Sequence, residues 1–132
     1  MIDRALKDAK LIVTKVFPAA AANDDTTTID LQSAGYKPET IALNIAWPAL
    51  PNLADAKTII FTVKDSADDS SYAAINGGPS YTLTGAGGVG VAAGNVNLRL
   101  PATTRRYIRV NRAVLTAGGD NTAATNTVSL VV

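Results

Sequence analysis

The segment Lys57-Thr58-Ile59-Ile60-Phe61-Thr62-Val63-Lys64, followed by Asp65-Ser66-Ala67-Asp68-Asp69-Ser70-Ser71 and then Tyr72-Ala73-Ala74-Ile75, decides the fold. Side chains alternate across a strand, so Ile59, Phe61 and Val63 fall on one face and Thr58, Ile60, Thr62 and Lys64 on the other. This is a half-buried strand whose apolar face is the expected centre of the core. Short Asp and Ser side chains bond nearby backbone groups, so residues 65–71 read as a polar turn returning the chain into Tyr72 to Ile75 as a hairpin partner.

The same alternation continues on both sides. Toward the N-terminus, Thr40 to Trp47 places Ile41, Leu43, Ile45 and Trp47 on one face, and Pro48 and Pro51 end the run. Thr28 to Leu31 is a short extended stretch and Lys10 to Phe17 a first strand, with the Ala and Asp residues of 19–25 read as a loop between them. Toward the C-terminus, Tyr81 to Thr84 is short, and residues 85–94, with five glycines in ten positions, form a flexible loop or a bulged edge. Asn95 to Leu100 turns Val96, Leu98 and Leu100 inward before Pro101. Arg105 to Val114 turns Ile108 and Val110 inward and Tyr107, Arg109 and Asn111 outward. A turn at 117–121 precedes Thr127 to Val132, with Val128, Leu130 and Val132 inward.

Roughly eight or nine short strands with turn signals at close intervals favour an all-β fold, a jelly-roll-like antiparallel β-sandwich of about eight strands. Residues 1–132 are expected to form a single domain. Residues 1–9 lie outside the strand series and read either as an N-terminal arm that orders against a neighbouring subunit through Ile2 and Leu6, or as a frayed terminus.

Composition narrows the function. The 132 residues include no Cys and no His, and Glu39 is the only glutamate. Disulfides, Cys or His nucleophiles, zinc fingers, haem ligation and Ser-His-Asp catalysis are therefore excluded. Charged residues make up 17% of the chain, below the ~25% common in soluble domains, so the exterior must be unusually rich in Ala, Thr, Ser, Asn and Gly. No run approaches a membrane-spanning length, and Asp3 and Asp8 disturb the layout of a secretory signal, so neither membrane insertion nor export by the general pathway is expected.

Formal charge is +1, which gives no global pull toward nucleic acid. Locally the picture differs, because residues 99–132 carry five arginines and Asp120 alone among acids. Arg109 shares a face with Arg105 and Tyr107. Arg106 and Arg112 share parity with Ile108 and Val110, and must escape at strand ends or pair with carboxylates. The bland interpretation is a strand face neutralised by Asp65, Asp68 or Asp69. The functional one is a docking surface for an acidic protein, made of Arg99, Arg105, Arg106, Tyr107, Arg109 and Arg112, with Arg chosen for its bidentate fork. Nucleic acid ranks third, since few arginines face one way and aromatic platforms are scarce.

Other candidates are weaker. Asp65, Asp68 and Asp69 lack the EF-hand spacing, so no metal is expected. The glycine-rich stretch lacks the lysine and Ser/Thr of a phosphate-binding loop. No separate, apolar-flanked carboxylate pair suggests an enzyme, and no cofactor is expected.

The order of features resembles the small cement, or capsid-stabilising, proteins of tailed double-stranded DNA bacteriophages. The resemblance runs through Lys15, Thr28-Ile29-Asp30-Leu31, Ile59-Ile60-Phe61-Thr62-Val63, Leu98-Arg99-Leu100-Pro101, Arg106-Tyr107-Ile108-Arg109-Val110 and Val128-Ser129-Leu130-Val131-Val132. The Ile29-Asp30-Leu31 motif and the pairing of Leu100-Pro101 with Arg106-Tyr107 are the most particular. What it implies is a jelly-roll subunit, made in the host cytoplasm, that sits as a homo-oligomer, a dimer or a trimer, on the outer capsid surface of the virion. There it would clamp adjacent major capsid proteins, with no direct nucleic-acid or membrane contact and no catalytic residues. On this view, replacing Arg105 and Arg109 by Ala should lower capsid occupancy and its salt sensitivity while leaving the fold intact. The rival class is a carbohydrate- or receptor-binding β-sandwich module of a phage appendage, with Tyr36, Tyr72 and Tyr107 as its available aromatics.

Overall fold

The computed structural model describes residues 12–31, 41–75 and 78–131, and the elements that lie wholly within them are strands. In chain order these are β1 (Ile12–Val16), β2 (Asn23–Asp25), β3 (Ile29–Asp30), β4 (Ala42–Trp47), β5 (Thr58–Ser66), β6 (Ala73–Ala74), β7 (Ser80–Thr84), β8 (Gly94–Arg99), β9 (Tyr107–Val114) and β10 (Thr125–Val131).

Two antiparallel sheets result. One has the order β1-β10-β4-β8; the other has β9 and β5 at its centre, with β2 and β3 along the outer side of β9 and β6 and β7 along the outer side of β5. If β2 with β3 and β6 with β7 are each taken as one interrupted edge strand, eight positions remain. The chain visits them in the double Greek-key order of a jelly roll, as expected from the sequence.

The tenth strand, where eight or nine were expected, is β2, which an interruption of its edge separates from β3. Between β2 and β3 the ladder is carried partly by a side chain: Thr26 N–H donates to the Val110 carbonyl at 2.9 Å, and Val110 N–H donates to Thr26 Oγ1 at 3.1 Å. Between β6 and β7, Ile75 N–H reaches the Val63 carbonyl and Val63 N–H reaches the Pro79 carbonyl, both at 3.3 Å.

Two boundaries differ from the sequence expectation. Asn23–Asp25, read as loop, is a strand paired to β9. β5 runs on through Asp65 and Ser66, beyond the predicted start of the turn, because Asp65↔Ile108 and Ser66↔Tyr107 extend its ladder with β9. The 1–9 arm and the inward placement of Val132 lie outside the described residues.

The core forms where the two inward faces meet. Leu43, Ile45, Ile59, Phe61, Val63, Ile108 and Val128 have no exposed surface. Each such side chain contributes on the order of 1.5–3 kcal/mol by leaving water. Trp47, 8% exposed, lies between Phe61 and Tyr81 at centroid distances of 6.0 and 5.7 Å, and its indole N–H donates to the Ala92 carbonyl at 3.0 Å. The glycine-rich stretch is anchored here by Leu50 and Val91, which exchange backbone hydrogen bonds at 2.8 and 3.1 Å. Gly90 permits that approach: its φ is +71°, and a Cβ would lie 1.8 Å from the Leu50 carbonyl oxygen.

Candidate functional site

The arginines come together around β9, and the structure gives four of them partners within the chain. Arg105 and Arg106 precede the strand, which begins only at Tyr107. Arg105 donates from Nε and Nη2 to Asp65 Oδ1 at 3.1 and 2.7 Å, and its backbone N–H donates to Asp65 Oδ2 at 2.9 Å. Asp65 is almost fully buried, so this is one ion pair with a desolvated acceptor. The hydrogen bonding to Asp65 holds the Arg105 guanidinium above its usual pKa.

Arg106 forms a fork on Asp30, with Nε–Oδ1 and Nη2–Oδ2 both 2.9 Å, and lies 4.8 Å over the Tyr107 ring. Its pKa is likewise raised by the Asp30 hydrogen bonds. Arg109, on the outer face, donates to Thr28 Oγ1 at 2.8 Å and lies 4.2 Å over the Tyr72 ring, with Asp25 and Asp69 at 3.9 and 3.8 Å. Thr28 donates to Asp69 Oδ1 at 3.1 Å, and the Tyr72 hydroxyl donates to the same oxygen. Desolvation first, and this hydrogen bond second, push the Tyr72 hydroxyl pKa upward. Lys64 reaches Asp25 at 3.3 Å, so cations and carboxylates interleave across this face.

Arg112 has no exposed surface. Strand parity turns it inward, and five acceptors meet it there: Asp24 Oδ1, the Asp24, Lys15 and Val16 carbonyls, and Asn126 Oδ1. The guanidinium therefore ties β2 and β9 of one sheet to β1 and β10 of the other. Burial removes it from any docking surface. The opposite end of the amide is less well served, as Asn126 Nδ2 is buried with no hydrogen-bond partner among the described residues.

The acidic turn divides its tasks. Asp65 takes Arg105. Asp69 takes Thr28 and Tyr72. Asp68 accepts the Ser66 hydroxyl at 2.8 Å and the Ser70 and Ser71 N–H groups at 2.9 and 3.2 Å, which lowers its carboxyl pKa. Among the described residues no group of three acids is arranged to hold a metal ion.

Of the candidate contacts, Arg99 alone among the five arginines has no polar partner among the described residues; it is exposed at the end of β8. Ile2 and Leu6 lie outside the described residues. Sequence reasoning missed the outer face around Arg99, that of the β1-β10-β4-β8 sheet. Its registered rows read Val131, Ala42, Arg99; then Ile12, Ser129, Asn44, Asn97; then Thr14, Thr127, Ala46, Asn95. Asn44 Nδ2 donates to Asn97 Oδ1 at 2.8 Å and to Asn95 Oδ1 at 3.1 Å. The low overall charge was the one available signal for this nearly uncharged surface.

No protein-family model matches the sequence, and no curated protein matches it. Among solved structures, the chain is similar to one described as a crystal structure of PirA, with a TM-score of 0.50 at 6% identity over 91% of this chain and 93% of that one. A second, described as Family 16 Carbohydrate Binding Module-2, has a TM-score of 0.35 at 13% identity over 86% of this chain and 73% of that one. The first likeness is one of fold alone.

Proposed function

We propose that the chain is a non-enzymatic cement, or decoration, protein that binds the outer surface of a tailed-phage capsid as a small homo-oligomer and stabilises contacts between major capsid proteins. The observation that carries this reading is how the charge is disposed. Four of the five clustered arginines are held by the chain's own Asp24, Asp25, Asp30, Asp65 and Asp69, and the outer face of the other sheet carries uncharged side chains apart from Arg99. Such a face suits many modest contacts repeated over a symmetric lattice, where linked sites multiply weak affinities. The sequence resemblance to cement proteins points the same way.

Contact through this face changes the expected salt behaviour. With Arg105 and Arg109 already paired, shell binding through this face should weaken less than about tenfold between 50 and 500 mM salt, since Arg99 is the one charged residue in its registered rows. Co-sedimentation of the protein with DNA-free shells of the tailed phage that encodes it tests the reading. Saturable binding that Ala46→Glu abolishes, with folding intact, is the expected result. Absence of binding, or binding indifferent to Ala46→Glu and reversed by modest salt, would overturn it.

A further inference from the structure

We infer that the free edge of β8 pairs antiparallel with β8 of a second copy of this chain, about a two-fold axis at Asn97, joining two four-stranded sheets into one. Natural sheets blunt exposed edges, because unpaired N–H and C=O groups recruit other strands. The other edges here are treated in that way. Both edges of the β9-β5 sheet are broken in two, and on β1 Lys15 reaches across to Asp24 Oδ2 at 3.3 Å and to the Asp25 carbonyl at 3.0 Å. β8 is an unbroken run of six residues with no proline, paired only to β4, and no backbone hydrogen bond reaches it from another described segment.

The core side of the same edge is incomplete. Val96 and Leu98 point inward yet remain half-buried, whereas Leu43 and Ile45 on β4, and Val128 on β10, are wholly enclosed. A second sheet continuing past β8 would cover them.

Charge and register favour self-pairing. β8 carries a single charge, Arg99. Opposed residues share a face, so a two-fold axis through Asn97 sets Val96 against the partner copy's Leu98 and Arg99 against its neutral Asn95. Centring on Val96 would instead waste Leu98 on Gly94. The contact is small. Six residues span roughly 20 Å, and the surface buried falls short of the ~800 Å² per partner of a standard interface. Association should therefore be reversible, with a dissociation constant on the order of 10–1000 µM.

The inference rests on the homo-oligomer part of the reading above and not on its capsid part; it is measured with no shell present, so each can fail alone. Sedimentation equilibrium of the full chain over that concentration range should show monomer and dimer. Asn97→Lys and Asn97→Asp each place like charges on the axis and should each weaken dimerisation at least tenfold, while an equal mixture restores it as a heterodimer. Because Asn97→Asp keeps the acceptor used by Asn44, it serves as the test if Asn97→Lys unfolds. A wild-type protein that stays monomeric, or an oligomer unaffected by either charge and by mixing, would overturn the proposal.

Discussion

Removing Asp24 should cost more than removing the arginine it holds. Asp24→Ala leaves Arg112, with no exposed surface, still charged and without its only carboxylate. Breaking a buried pair from one side costs about 3–5 kcal/mol, and the surviving Val16 carbonyl, at 2.9 Å, and Asn126 place this case near the lower end. Arg112→Met removes the buried charge itself. Asp24 is then left 32% exposed with Lys15 at 3.3 Å, so its carboxylate is still solvated and paired. Met refills much of the space, and the loss is about 1–3 kcal/mol, mainly from backbone carbonyls left without donors. The double variant should be milder than Asp24→Ala alone. Urea unfolding of all four proteins closes the cycle. At this chain length 1 kcal/mol is worth roughly 3–5 °C in Tm, so Asp24→Ala, at about 3 kcal/mol, should melt roughly 9–15 °C lower by the same conversion. An Arg112→Met protein less stable than Asp24→Ala, or additive effects in the double variant, would refute a buried, structurally committed Arg112.

Further expectations concern the turns and the acid range. Gly90→Ala should destabilise by about 1–3 kcal/mol or prevent folding, since its Cβ would meet the Leu50 carbonyl in a left-handed backbone; thermal melting checks this. Asp120 accepts the Thr122 hydroxyl and N–H at 2.6 and 3.0 Å, which lowers its carboxyl pKa as the turn lowers that of Asp68; both carboxyls stabilise the fold at neutral pH, and that contribution should be lost as pH falls below their ordinary value of 3.8. Asp68→Asn and Asp120→Asn should flatten this acid limb in urea titrations at pH 7 and pH 3. Asp69→Asn should move the Tyr72 titration, followed by ultraviolet absorbance, only part of the way back toward 10.0, because desolvation is the larger cause of its elevation. Arg105→Ala, expected from sequence to leave the fold intact, should instead lower stability measurably, since it removes both side-chain donors from Oδ1 of the buried Asp65 and leaves only the backbone N–H of residue 105 on Oδ2; equal urea midpoints would contradict this.

Period-two alternation made most of this sandwich legible. Leu43, Ile45, Ile59, Phe61, Ile108, Val110, Val128 and Leu130 all lie inside as their spacing demands, and the broad placement of turns follows Gly, Pro and Asp. Parity also marked Arg112 as a residue that must find a carboxylate. Its partner was not readable, because Asp24 lies 88 positions away in a segment with no apolar alternation. The same segment, Asn23–Asp25, reads as loop for that reason: its strand state comes from β9, through the ladder, the Arg112–Asp24 pair and the Asn111–Asp25 hydrogen bond of 2.9 Å. Arg105 finding Asp65 was within the sequence expectation, whereas the fork of Arg106 on Asp30 was not, since it depends on β3 lying beside β9. The uncharged outer face became visible only once the strands of its sheet were ordered, for Ala42, Asn44, Ser129 and Asn97 come from three separate parts of the chain.

The most direct measurement is electron cryomicroscopy of DNA-free phage shells mixed with excess protein. The predicted result is a β-sandwich-sized density at fixed lattice positions on the outer surface, bridging neighbouring capsid subunits. Shells that remain bare at saturating protein, or density confined to the interior or the tail, would contradict it.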